Sequence, residues 1–326
     1  MNVLVVGGAG YIGSHCCKAL ADSGYTPITY DNLSRGHEHA VQWGPFVHGD
    51  TNDTRKIQQV VIKYNIQSAI LLAAFIEVGE SIVSPLKFYH NNVANFIATL
   101  EGLQGCKAVV FSSTAAVYGN PLETPIKETS LLKPINPYGW SKLMCEQILA
   151  DQFCSKDGIP YCALRYFNAS GADPSGEIGE EHDPETHLIP RACLASMKQL
   201  NDFSIYGDDW PTPDGTAIRD YVHVSDLARA HILALEYLLQ GAAPDIFNVG
   251  IGVGFSVREI ISAVERVSGV EMLPTVNTRR AGDPAILLAD NNKIKSILGW
   301  EPKYNNIQAI VDTAYNFHMK QGIKNV

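Results

Sequence analysis

The stretch "INPYGWSKLM" places Tyr138 four residues before Lys142 and directly behind Pro137. Asn136 is a suitable N-cap and Pro137 a suitable first helical residue, so the phenol and the ammonium fall one turn apart on one helix face. Such a pair can take a proton from a substrate hydroxyl and hand it back. The same spacing also arises by chance on ordinary helices, so partners must be found. Upstream, "VVFSSTAAVYG" ends an apolar run with Ser112, Ser113 and Thr114. A hydroxyl presented there can converge with phenol and ammonium on one substrate hydroxyl.

A second constellation lies at the start of the chain. "GGAGYIG" spaces Gly7, Gly10 and Gly13 in the pattern GxxGxxG, between an apolar strand and a helix. Glycine allows a tight turn there and leaves room for a pyrophosphate at the positive end of the helix. Asp31 closes the next apolar run, 18 residues after Gly13. A carboxylate at that point accepts from ribose hydroxyls and repels a 2'-phosphate, which favours NAD over NADP. Arg35 is the one contrary charge and reads as a loop residue.

The elements that must position these groups alternate in type. "NVLVVGG", "TPITYDN", "SAILLAA", "AVVFSST" and "YCALRYFN" read as buried strands, separated by amphipathic helices such as "NNVANFIATLEGL" and "YGWSKLMCEQILADQFC". The fold class that follows is α/β, a doubly wound parallel sheet of the Rossmann type covered on both faces, with ligands at the carboxyl edge of its strands. Beyond Asn168 the pattern loosens into Gly-, Pro- and acid-rich loops, followed by "AIRDYVHVSDLARAHILALEYLL", the strand "DIFNVG" and a helix with a capping box at Ser256 and Glu259. This division predicts a dinucleotide-binding domain over residues 1–167. A smaller α/β substrate domain follows over 168–326, some later segments returning to the first.

Composition narrows the function. With 326 residues, 46% hydrophobic and 18% charged, the chain can bury a substantial core. A formal net charge of -9 argues against nonspecific nucleic-acid binding. No apolar run approaches the roughly 18 residues needed to cross a bilayer. The opening "NVLVVGG" has no basic leader, and the seven cysteines show no CxxC, so free thiols in a reducing cytoplasm are expected. Of the two groups of metal-ligand types, "GHEHA" and "EHDPETH", neither has helical HxxxH spacing, and no metal is expected.

The motifs "GGAGYIGSH", "VGES", "FSSTAAVYG", "NPYGWSKLMCEQIL", "LRYFNASGADPSG", "RDYVHVSDLA" and "RRAGDPA" follow one another along nearly the whole chain. In order and spacing the sequence resembles the UDP-glucose 4-epimerase family of the extended short-chain dehydrogenase/reductase superfamily. The resemblance implies that Tyr138 is the base at the 4-hydroxyl of a UDP-sugar, that Thr114 bridges to the same hydroxyl, and that Lys142 holds the nicotinamide ribose. Ionising a free phenol at pH 7 costs roughly 4 kcal/mol, and one cation about 5 Å away at an effective dielectric near 20 returns roughly 3 kcal/mol. Lys142 and the nicotinium charge together would suffice.

The same resemblance implies NAD contacts at Gly7, Gly10, Tyr11, Ile12, Gly13, Asp31, Asn32, Asp50, Thr51, Ala73, Ala74, Asn91 and Phe167. It implies nucleotide-sugar contacts at Asn168, His187, Leu188, Ser204, Ile205, Tyr206, Arg219, Arg280 and Asp283. Arg219 and Arg280 make physical sense, since a diphosphate in an acidic protein needs guanidinium forks. The alternative for Arg219 is an ion pair with Asp220. Related dehydratases carry an acidic pair where this chain has Ala115 and Ala116 after Thr114, which disfavours elimination. Leu287 aligns with a position that in the family helps decide whether an N-acetyl group fits, and its middle size leaves that open, with plain hexoses favoured. The resemblance further implies a homodimer paired through the helices near Asn91 and Tyr138, with Phe96 or Met144 at the interface. The implied reaction is interconversion of UDP-galactose and UDP-glucose with bound NAD. A 4-epimerase of UDP-N-acetylhexosamine, UDP-uronic acid or UDP-pentose, or a non-enzymatic NAD-binding sensor, remains as an alternative.

Overall fold

A computed structural model describes residues 1–280 and 283–324. Seven parallel strands form the main sheet, six of them from the first half: β1 Asn2–Val6, β2 Thr26–Asp31, β3 Phe46–His48, β4 Ile66–Leu71, β5 Ala108–Thr114 and β6 Tyr161–Tyr166. Smaller sheets and edges use β7 Asn168–Ser170, β8 Ser204–Tyr206 and β9 Ile218–His223. They also use β11 Gly254–Ser256, β12 Thr275–Asn277 and β13 Ile286–Leu287, whereas β10, Asp245–Val249, rejoins the main sheet beside β6. The main order is β10-β6-β5-β4-β1-β2-β3, so the winding reverses between β1 and β4. Ligands sit at that reversal in doubly wound sheets.

The strands of this sheet are buried on both faces, which explains their near-continuous apolar character. Val3, Val5, Val110 and Leu164 pack with Cys16, Cys17 and Leu20 of helix Tyr11–Asp22 and with Leu227, Leu235 and Leu238 of helix Val224–Leu239. Leu4, Ala69, Val109 and Phe111 pack on the other side with Ile57, Leu100 and Leu149 from helices Thr54–Lys63, Asn95–Gly102 and Pro137–Phe153. The segment "AIRDYVHVSDLARAHILALEYLL" divides at His223 into strand β9 and helix Val224–Leu239. His223 makes that change of period abrupt by accepting from the Ser225 N–H as the helix N-cap.

A second core gathers Ile189, Cys193, Ile205, Ile260, Val264, Ile310 and Val311 around helices Leu188–Ser196, Val257–Ser268 and Ile307–Lys324. The capping box expected at Ser256 forms: its hydroxyl accepts from Glu259 N–H at 3.1 Å, while Glu259 accepts from Ser256 N–H at 2.7 Å. Such a cap contributes about 1 kcal/mol to helix stability. All seven cysteines are free. No helix among the described residues is long and apolar enough to cross a membrane.

Candidate active site

The helix bearing Tyr138 starts as the sequence dictates. Asn136, in extended conformation, accepts from Gly139 N–H at 2.8 Å, and Pro137 opens the first turn. The face that then turns inward carries Tyr138, Lys142, Cys145, Glu146 and Leu149, the stagger of a helix lying on a sheet. Tyr138 and Lys142 are 8% and 3% exposed. Their environment is therefore set by protein, not water.

Of the three hydroxyls closing β5, two are engaged elsewhere. Ser112 bonds the Tyr166 hydroxyl, and Ser113 donates to Glu146, which Arg165 clamps with two bonds at 2.9 and 2.6 Å. Thr114 is the one that meets Tyr138. Its oxygen accepts from Ala116 N–H at 3.1 Å, and its hydroxyl bonds the phenol. That bond favours the phenolate.

Burial outweighs that bond. It pushes the Tyr138 phenol up to about 12, with the Glu77 carboxylate adding in the same direction. Lys142 goes the other way, lowered by burial to about 8 against the pull of Cys145 and Glu146. Its ammonium donates to the Ser112 carbonyl at 2.8 Å and lies 4.9 Å from the centre of the Phe111 ring. The groups that act on the phenol in this arrangement are Thr114 and Glu77, and the Lys142 ammonium is turned to the Ser112 carbonyl. At pH 7 a phenol at about 12 costs about 7 kcal/mol to ionise, more than one neighbouring cation supplies.

The glycine loop forms a cradle closed by backbone. Gly7 has a φ of +85°, and a Cβ on it would sit 2.7 Å from Ala73 N; a Cβ on Gly13 would sit 2.0 Å from Gly7 O. Gly10 caps helix Tyr11–Asp22 in extended conformation without any side-chain bond to the helix. The positive end of that helix is left for an anion. Asp31, at the end of β2, accepts from Ala9 N–H at 3.0 Å and Leu33 N–H at 2.8 Å, and burial nonetheless raises its carboxyl above the ordinary range. Arg35 pairs with Glu77 at 3.2 Å and donates to the Asp183 carbonyl at 2.7 Å, so its charge is committed away from Asp31. Glycine cradle, uncapped helix and ribose-facing carboxylate fit an NAD molecule.

The remaining expected cofactor residues surround this edge. Asn32 donates to Asp50 at 2.8 Å, the Thr51 carbonyl accepts from Thr99 at 3.0 Å, and Ala73 and Ala74 follow β4. Ile12 packs on the sheet, Phe167 follows β6, and the Tyr11 hydroxyl donates to the Gly171 carbonyl at 2.7 Å. Asn91 is half-buried, and its neighbour Asn92 does the structural work that sequence reading missed. Asn92 accepts from Phe75 N–H and donates to the Phe75 carbonyl, both at 2.9 Å, and donates to Ser141 at 3.1 Å. A π turn over His90–Ala94 aims it inward. The available signal was a polar doublet at the head of an apolar helix.

The expected nucleotide-sugar residues fall on the second core's rim, with corrections. Ser204 bonds Thr275 at 2.6 Å, and Arg280 stacks 4.0 Å from the centre of the Tyr206 ring. Ile205 does not belong with them by side chain: strand alternation buries it in the second core, leaving only its backbone at the rim. Arg219 reaches Asp283 at 3.9 Å, not Asp220. Asp220 points the opposite way and accepts from Ile251, Gly252 and Ala289 N–H groups, its carboxyl raised by burial to about 6. Asn168 opens β7, and Leu188 opens helix Leu188–Ser196. Phe167 and Leu287 pack on Ala115 and Val117 beside Thr114. Ala281 and Gly282 of "RRAGDPA" lie outside the described residues.

Two further expectations change. His187 does not stand free at the sugar site: its ring nitrogen lies 2.7 Å from Glu180 and 3.3 Å from Glu185. With His182 these residues form a group whose ligand-type atoms all lie within 4.8 Å of one another, and His37, His39 and Glu181 form another. Both segments are visible in the sequence as ligand types without helical spacing; the loops add Glu180 to the one and Glu181 to the other. Phe96, offered for a subunit interface, is buried against Phe111 at 5.0 Å between ring centres. The π turn before it shifts the helix register.

Comparison with known proteins places this geometry in a family. Residues 3–250 match the model described as the NAD dependent epimerase/dehydratase family. The chain is 46% identical over 322 residues to the UDP-glucose 4-epimerase of Rhizobium meliloti (strain 1021), covering 98% of both. It is 47% identical over 323 residues to that of Lacticaseibacillus casei, covering 98% of this chain and 97% of the relative. Its structure superposes on the UDP-glucose 4-epimerase from Brucella ovis in complex with NAD with a TM-score of 0.94, at 48% identity and 97% coverage of each chain.

Proposed function

The chain belongs to the NAD dependent epimerase/dehydratase family, and from that membership we propose that it interconverts UDP-galactose and UDP-glucose by reversible oxidation at C4. The observation that carries the reading is the phenol of Tyr138 held against Thr114 at the carboxyl edge of β5, with Ala115 and Ala116 next in the chain. Bound NAD supplies the hydride acceptor and donor. The Gly7, Gly10 and Gly13 turn would hold its pyrophosphate, Asp31 its adenosine ribose, and Lys142 its nicotinamide ribose.

As the phenolate, Tyr138 Oη takes the proton of the C4 hydroxyl and becomes the neutral phenol, with the Thr114 hydroxyl bonded to that oxygen. Lys142 is anchored on the Ser112 carbonyl at 2.8 Å in the resting site, and with its pKa near 8 it is mostly charged at pH 7. Its swing from that carbonyl toward the phenol supplies part of the stabilisation the buried phenolate lacks. The 4-keto sugar turns over while its diphosphate stays fixed by Arg219 and Arg280, and Tyr138 returns the proton on the second transfer. No carboxylate follows Thr114 to drive elimination, and Glu77, the one acting on the phenol, is tied to Arg35. Leu287 and Phe167, packed on the cluster that holds Ala115 beside Thr114, leave an apolar lining suited to a plain hexose in this reading.

The protein is cytoplasmic and dimeric in this reading. Ile97, Trp140 and Met144 are 41%, 41% and 40% exposed on the helices near Asn91 and Tyr138, an apolar stripe that a second copy would cover. Light scattering at micromolar concentration giving a monomer mass overturns the dimer. The activity is tested by supplying UDP-galactose without added NAD to wild type and to Tyr138→Phe. Wild type forms UDP-glucose, whereas the variant keeps bound NAD and loses turnover by several orders of magnitude. Turnover of only UDP-N-acetyl, uronic or pentose sugars would move the assignment to a sister epimerase, and an active variant would remove Tyr138 as the base.

A further inference from the structure

The loop between β7 and helix Leu188–Ser196 brings Glu180, His182, Glu185 and His187 together, apart from the reacting groups. We propose that these four side chains hold one divalent first-row metal ion, zinc by preference, as a structural clamp.

The distances fit such an ion. Glu180 Oε1 lies 3.1 Å from His182 Nδ1 and 2.7 Å from His187 Nδ1; the Glu185 oxygens lie 3.8 Å from the first nitrogen and 3.3 Å from the second. Ligands about 2.0–2.2 Å from a tetrahedral zinc stand roughly 3.3–3.5 Å from one another, in the middle of that range. Two imidazoles and two carboxylates are borderline ligands that suit zinc and its first-row neighbours.

The orientation of the rings separates coordination from simple ion pairing. Both Nδ1 atoms are buried and make no hydrogen bond, although each has the Glu180 oxygen close by. Protonated imidazoles paired with carboxylates would aim N–H at oxygen. An ion placed among these atoms would satisfy both nitrogens at once. The neighbouring group provides the contrast: there His37 Nε2 meets the Glu181 carbonyl at 2.8 Å, and the Glu181 carboxylate accepts from Gln321 at 3.1 Å. That group is satisfied by hydrogen bonds alone.

An outer layer fixes the inner one. Glu185 Oε1 accepts from the N–H groups of Thr186 at 2.7 Å and His187 at 2.8 Å. The Tyr11 ring stands edge-on to His182 at 6.3 Å between centres. Four protein ligands leave no position open for substrate, the signature of a structural site. The clamp would tie the N-terminus of helix Leu188–Ser196, where His187 is the N-cap, to the loop that packs against Tyr11 of the glycine turn.

The test uses full-length protein purified without a metal-chelating tag, dialysed against a chelator and titrated with Co²⁺ as a coloured stand-in for Zn²⁺. We expect one equivalent per chain, a visible band of four-coordinate cobalt, its loss on adding Zn²⁺, and an unfolding midpoint that rises with Co²⁺ concentration. His182→Ala and Glu185→Gln, checked for native circular dichroism, should each weaken uptake more than the roughly 10- to 100-fold lost with an outer-shell partner. If one variant does not fold, the other carries the comparison. Absent stoichiometric uptake in the wild type, or one equivalent retained in a folded variant, overturns the site.

Discussion

Lys142→Met separates what the lysine does for catalysis from what it costs the fold. Burial lowers the ammonium from 10.5 to about 8, so the folded protein binds this proton less tightly than the unfolded chain does. That lowering corresponds to roughly 3 kcal/mol of lost stability at pH 7. The variant removes that penalty but leaves the Ser112 carbonyl, which accepts from Lys142 at 2.8 Å, without its donor. Leaving a buried acceptor unpaired costs about 1–3 kcal/mol. The net at pH 7 is a variant as stable as wild type or up to about 2 kcal/mol more stable, though inactive.

The pH dependence is sharper than the net. The folded pKa is depressed, so the wild type gains stability from this group as pH rises from about 8 to 10.5, and the variant does not. The stability difference, variant minus wild type, should therefore fall by roughly 3 kcal/mol across that window. Other tyrosines and cysteines titrate there too, but they are common to both proteins and cancel in the difference. Urea unfolding at pH 7, 9 and 10.5, on protein freed of NAD so that cofactor binding adds nothing, reads it directly. A difference that is flat with pH would refute the account of a buried, penalised ammonium.

Three further perturbations test the frame around the pair. Arg165→Met leaves the buried Glu146 carboxylate without the guanidinium that clamps it at 2.9 and 2.6 Å, and should destabilise by about 3–5 kcal/mol in thermal or urea unfolding. Gly13→Ala sets a Cβ 2.0 Å from Gly7 O, so the cradle must open; bound NAD, read by absorbance after gel filtration, should be lost while far-ultraviolet circular dichroism stays native. Asn92→Ala removes the bonds that fasten the backbone at Phe75 to Ser141, and should cost about 1–3 kcal/mol in unfolding while weakening NAD retention.

Much of this site was legible because its signals are local. The glycine spacing, Asp31 at a strand end and the Asn136-Pro137 start before Tyr138 each express one element's geometry, and each forms as the spacing predicts. The main sheet was legible for the same reason, since buried parallel strands are short apolar runs between helices. What stayed hidden depends on encounters between distant segments. Glu180 and His187 meet through a loop, and although a later segment is expected to return to the first domain, that it is β10 and pairs with β6 is set by residues far apart in the chain. Asn92 owes its inward aim to a π turn, a register change that no apolar period announces.

Adjacent residues on a strand show why type and spacing alone mislead here. Arg219 and Asp220 look like an ion pair in sequence, yet alternation sends the carboxylate to three backbone N–H groups and the guanidinium to the rim near Asp283. Ser112, Ser113 and Thr114 look interchangeable, yet each meets a different partner: Tyr166, the Glu146 and Arg165 clamp, and Tyr138. The consequence is chemical. The Thr114 hydroxyl is held by Ala116 N–H, and of the three only Thr114 meets the phenol. The backbone beyond β5 thereby holds in place the hydroxyl whose bond lowers the phenol's pKa, and a buried Tyr138 needs that bond as much as it needs a cation.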